Sequence, residues 1–165
     1  MAPRVQIIAY GNPLRSDDGL AWRVADTLGD KLSREEVEIA MLHQLGPELA
    51  ESISRSECVI FIDAASGPGP PGEIRITELL PVCESSGAAQ FCHAVSPPQV
   101  LALAAQLYGA HPHAFTATVV GDNFDHGEFL SEPVQAAIPA LVARIDELAR
   151  GFINHKGHEI TRRKD

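Results

Sequence analysis

Two rhythms of hydrophobic and polar positions take turns along this chain. Arg4 to Tyr10 is a short, mostly apolar run stopped by Gly11 and Pro13, which predicts a buried strand. From Gly19 the spacing changes. Leu20, Val24 and Leu28 recur every fourth residue beside Ala21 and Ala25, with Arg23, Asp26 and Lys31 on the other side, as in a helix with one apolar face. Val37 to Leu42 predicts a second strand, and Gly46-Pro47-Glu48-Leu49 opens a second helix with proline in its first turn. Cys58 to Ile62 is almost wholly apolar, as a strand covered on both faces must be, and is expected to end at Asp63. The Gly67 to Gly72 turn leads into Glu73 to Thr77, whose alternation predicts an edge strand with one wet face. Leu79 to Cys92 has no period and reads as a loop. Pro97-Pro98 starts a helix closed by Gly109, Ala114 to Val120 is a strand, and Ser131 to about Arg150 is a final helix in which Pro139 predicts a kink.

Strand and helix alternate, so the fold class is α/β: a three-layer αβα sandwich around a mostly parallel twisted sheet of about five strands, with one antiparallel edge strand. The 165 residues fit one domain over residues 1–150, followed by a polar, frayed tail over 151–165. A composition 45% hydrophobic and 21% charged is that of an ordinary globular protein, and a net charge of −9 excludes the basic footprint of a nucleic-acid binder. No run reaches the ~18 apolar residues of a membrane span. The N-terminal apolar stretch is too short for a signal peptide, and three cysteines, Cys58, Cys83 and Cys92, argue against a disulfide framework, so the expected location is the cytoplasm.

Chemistry is expected after the first strand, where Asp17 and Asp18 stand side by side. Adjacent like charges need a cation, hydrogen-bond donors or open water to stay ionised. Either could equally be a helix cap. Asp63 raises the interest, because in a parallel sheet ligands bind at the carboxyl ends of the strands, and an acid closing an apolar strand points into that crevice. Of seven histidines, His93 lies at an element boundary just before the Pro97-Pro98 helix. Two carboxylates and an imidazole suit a borderline divalent ion such as zinc or nickel. No phosphate-binding loop or dinucleotide fingerprint is present, and Gly121 to His126 lacks the spacing of a calcium loop and reads as a connector.

The stretch Gly11-Asn12-Pro13-Leu14-Arg15-Ser16-Asp17-Asp18-Gly19 resembles the signature of the nickel-iron hydrogenase maturation endopeptidases. Ile60-Phe61-Ile62-Asp63-Ala64 resembles their second motif, followed by a similar Pro71-Gly72-Glu73 turn, and His93-Ala94-Val95-Ser96-Pro97 resembles their third. The similarity spans about residues 4 to 150. It implies a peptidase that removes the C-terminal extension of a hydrogenase large-subunit precursor once nickel is in place. The implied nickel-binding and catalytic set is Asp18, Asp63 and His93, with Asp17 as an assistant to water activation. The resemblance also implies nickel supplied by the substrate and no organic cofactor, the precursor as partner, and substrate recognition around Gln44 to Glu48. A monomer is expected. The alternative is a non-catalytic nickel carrier or assembly chaperone using the same residues. The chain departs from the family pattern at Ala9 and Ala21, where glycines are usual, and at Pro98, where one branch places its histidine.

Overall fold

In the computed structural model, which describes residues 2–80 and 95–155, five strands form one sheet. The strands are β1 (Val5–Tyr10), β2 (Val37–Leu42), β3 (Cys58–Ala65), β4 (Ile74–Leu79) and β5 (His113–Val120), in the order β2-β1-β3-β5-β4. Pairs β1/β2, β1/β3 and β3/β5 are parallel, while β4 runs antiparallel to β5 at the edge. The helices are α1 (Leu20–Gly29), α2 (Leu49–Ile53), α3 (Pro97–Tyr108) and α4 (Glu132–Asn154). The expected sandwich, with its antiparallel edge, is the one observed.

Alternation along the strands sorts the core into two layers. Val5, Ile7, Ile60, Ile62 and Val119 pack with Leu20, Val24 and Leu28 of α1 and Leu141, Val142 and Ile145 of α4. Ile8, Val59 and Phe61 face the opposite way, against Ala50 and Ile53 of α2 and Val100 and Ala104 of α3. Each such fully buried aliphatic or aromatic side chain contributes roughly 1.5–3 kcal/mol of transfer free energy. Both central strands are therefore covered on two faces, which explains their nearly unbroken apolar sequence.

Several expected boundaries move. Strand β3 does not stop at Asp63 but runs on to Ala65, because Asp63, Ala64 and Ala65 keep pairing with Thr118, Val119 and Val120. Helix α2 is only five residues long, with Pro47 and Glu48 in the preceding turn. Helix α4 extends to Asn154, four residues into the expected tail, since Phe152 and Ile153 pack on the core and the Arg4 guanidinium donates to the Ile153 carbonyl at 2.5 Å. Helix α3 begins as expected at Pro97, with Ser96 and Gln99 forming a reciprocal capping box, and ends at Gly109 in the left-handed conformation (φ 63°). No helix among the described residues is long and apolar enough to cross a membrane.

The chain order creates the crevice. From β1 it moves to one neighbour, β2, then returns to the other side for β3, so the connections leaving β1 and β3 diverge between those strands. At such a switch point the carboxyl ends of the two strands leave a gap that helices do not fill.

Candidate active site

The loop after β1 is a tightly folded nine-residue unit. Gly11 has φ +145° and donates its amide to the Leu42 carbonyl at 3.0 Å. Any β-carbon there would run into the Asp18 carbonyl oxygen, so the close approach of Gly11 to Asp18 requires glycine. Asn12 Oδ1 accepts from the Leu14 amide at 2.9 Å, and Asp18 Oδ2 accepts from the Asn12 amide at 2.7 Å. Asp18 thus closes the loop back on itself. It is not a helix cap: the residue before α1 is Gly19, and no side chain caps that helix.

Asp17, its neighbour in sequence, points elsewhere and is fully buried in the described structure. Its Oδ2 accepts from the amides of Asp122 and Asn123, at 2.8 and 2.9 Å, and from the Ser131 hydroxyl at 2.8 Å. Its Oδ1 accepts from the Ser131 amide at 2.7 Å. Burial is the largest single influence on its pKa and opposes ionisation. The donors from Asn123, Ser131 and Asp122 together outweigh it, and the pKa lies below the ordinary carboxylate value. Asp17 therefore does not cap α1 either; it anchors the loop between β5 and α4, with its oxygens committed to that loop. The same two loops are joined by a parallel bridge between Arg15 and Gly127, with Gly127 N to Leu14 O at 2.9 Å and Ser16 N to Gly127 O at 2.8 Å. Ser16 lies at φ 50°, a conformation non-glycine residues seldom adopt, and its hydroxyl donates to the Asp125 carbonyl at 2.9 Å.

Asp63 occupies the other side of the switch point. Register pairs Ala9 with Ile62, which sets Tyr10 beside Asp63, both on the α2/α3 face of the sheet by strand alternation. Burial pushes the Asp63 carboxyl up to about 7; a hydrogen bond from the Tyr10 hydroxyl opposes the rise, the Asp18 charge adds to it, and a hydrogen bond from the Ala64 amide opposes it. Tyr10 in turn is raised, by burial first and then by the charge of Asp63. Two carboxylates from opposite flanks of the crevice thus feel each other, and a divalent cation between them would relieve both the repulsion and the desolvation.

Of the expected ligand set, Asp18 and Asp63 lie near enough for the Asp18 charge to add to the rise of the Asp63 pKa, while His93 lies outside the described residues. Among those residues no group of three His, Cys, Asp or Glu side chains is arranged to hold a metal ion, so a chelate on Asp18 and Asp63 needs a donor from beyond them. His43 instead stacks edge-on with Trp22, ring centroids 5.2 Å apart, and the Trp22 indole donates to the Leu42 carbonyl. Cys58 is buried beneath the sheet face, with its thiol pushed up to about 12 by burial first, and takes no part; Cys83 and Cys92 lie outside the described residues. A hollow of about 600 Å³ beside α1 and β2, lined by Asp26, Asp30, Arg34 and Glu35 among others, is not lined by Asp18 or Asp63.

Sequence reasoning missed two parts of this arrangement. Tyr10 reads in the sequence only as the end of an apolar run, although a hydroxyl-bearing residue at the carboxyl end of a parallel strand is a usable signal. The Gly121 to His126 segment, read as a connector, supplies amides that hold Asp17; backbone donors leave no trace in residue type.

The fold, a five-stranded mixed sheet with helices on both faces, is shared with solved structures named as hydrogenase maturation endopeptidases. The hydrogenase maturating endopeptidase HybD from E. coli superposes with a TM-score of 0.71 at 22% identity, covering 90% of this chain and 93% of that one. The NiFe hydrogenase maturation protease HycI from Thermococcus kodakarensis KOD1 gives 0.68 at 20% identity over 89% and 92% of the two chains. HybD from Thermococcus kodakarensis gives 0.67 at 23% over 88% and 99%. No family model and no curated sequence matches, so the likeness is one of fold.

Proposed function

We propose that this chain is a hydrogenase maturation endopeptidase, which removes the C-terminal extension from a nickel-iron hydrogenase large-subunit precursor after nickel insertion. The observation that carries the reading is the convergence of Asp18 and Asp63 at the switch point of a fold shared with proteins of that name. The motif resemblance at Gly11–Gly19, Ile60–Ala64 and His93–Pro97 supports it independently. In this reading the nickel belongs to the substrate, and Asp18, Asp63 and His93 grip it.

The chain's own residues would then act chiefly by positioning. Asp18 is preset by the Asn12 amide, and Asp63 by the Tyr10 hydroxyl and the Ala64 amide, so little reorganisation accompanies binding. Asp63, with its pKa near neutrality, gives up its proton readily when a cation arrives. Asp17, with both oxygens taken by donors of the β5–α4 loop, acts by holding the Gly11–Gly19 loop that carries Asp18. Incubation of the protein with nickel-loaded precursor, followed by mass spectrometry, tests the reading: the precursor loses its extension with the wild type and keeps it with Asp18→Ala or Asp63→Ala. An unchanged precursor mass with the wild type would favour a carrier, and full processing by both variants would sink the metal grip.

A further inference from the structure

The loop that carries Asp18 and the loop bridged to it between Arg15 and Gly127 carry large exposed side chains. Leu14 is 55% exposed and Phe129 is 83% exposed. Arg15, next to Leu14, is also exposed and forms no ion pair among the described residues. Single exposed apolar residues are ordinary, but these stand on backbone that is fixed with unusual thoroughness. The Arg15–Gly127 bridge zips the two loops, Arg15 Nε donates to the Phe124 carbonyl at 3.3 Å, Arg23 donates to the Glu128 carbonyl at 3.0 Å, and Asp17 ties both ends of the second loop from beneath. A surface held this firmly loses little conformational entropy when it is covered. Aromatic, aliphatic and arginine side chains together are the composition of protein-binding anchors.

We propose that Leu14, Arg15 and Phe129 anchor a folded protein partner, namely the nickel-loaded precursor, against the crevice; the inference rests on the reading under Proposed function. Leu14 and Arg15 lie in the same nine-residue loop as Asp18, so a macromolecule presenting a metal to Asp18 and Asp63 comes up against this rim. The net charge of −9 disfavours a nucleic acid or an anionic membrane as the occupant. The rim thus selects the body of the precursor, while the crevice takes its metal.

The test uses Leu14→Ser/Phe129→Ser and, separately, Arg15→Ala, all at exposed positions. Precursor binding is read by biolayer interferometry and processing by mass spectrometry. The inference expects the Kd for precursor to rise about tenfold or more in the double variant and severalfold in R15A, with kcat at saturating precursor within about twofold of wild type. Wild-type processing with equal Kd in all variants overturns the anchor and leaves the protease reading standing. Weaker binding in the variants without processing by any form keeps the anchor and removes the protease reading. A wild type that neither binds nor cuts overturns both. Should light scattering show a wild-type dimer that the double variant turns into a monomer, the rim is a self-association surface and the proposal falls.

Discussion

Asp17 and Asp63 are both carboxylates withdrawn from water, yet their protons are held in opposite ways. Asp17 meets four donors and is kept ionised below the usual carboxylate range in spite of its burial. Asp63 meets a phenol and one amide, faces the like charge of Asp18, and is raised to about 7. The difference lies in how complete the donor set is. A satisfied buried carboxylate holds structure together, whereas an under-satisfied one is left receptive to a cation.

The sharpest way to break this contrast is to remove the satisfied group. Asp17→Ala leaves the Asp122, Asn123 and Ser131 donors facing a void, and should lower stability by about 3–5 kcal/mol in urea unfolding. A loss below ~1 kcal/mol would mean the anchor is not one. The under-satisfied carboxylate should behave with the opposite sign. A carboxyl whose folded pKa exceeds its unfolded value of 3.8 binds more protons when folded, so its penalty is absent below pH ~4 and grows as pH rises towards 7. Asp63→Asn should therefore stabilise the metal-free protein at pH 8 by on the order of 1–3 kcal/mol and flatten its stability between pH 4 and 7. Thermal melts across that range check it, and an N variant less stable than wild type at pH 8 would contradict the assignment. The smallest effect tunes the contrast. Tyr10→Phe deletes the donor that pulls Asp63 down, so its apparent pKa, followed by carboxyl carbon NMR, should move further up from about 7 by about half a unit or more.

How much of this could be read from the chain follows the range of the interactions. Strands β1, β2, β3 and β5, the antiparallel edge β4 and the α3 caps follow from local periodicity and from Ser96, Gln99 and Gly109, so they were legible. That β3 runs two residues past Asp63 is not legible, because cross-strand pairing with Thr118 to Val120 is invisible in one strand's sequence. The crowding of Asp17 and Asp18 is plain in the sequence. Their division of labour is not: helix-cap chemistry is local, and the donors that claim Asp17 lie 105 to 114 residues further on.

That separation has a kinetic side. The loop bearing Asp18 is made well before its anchor is complete, because Asp17 takes a donor from Ser131, 114 residues further on, where α4 starts. Loop closure over so many residues is slow and comes late in folding. A chain that stops short of α4 therefore has a sheet in progress but lacks the Ser131 donors, so the loop that carries Asp18 is not yet held in place.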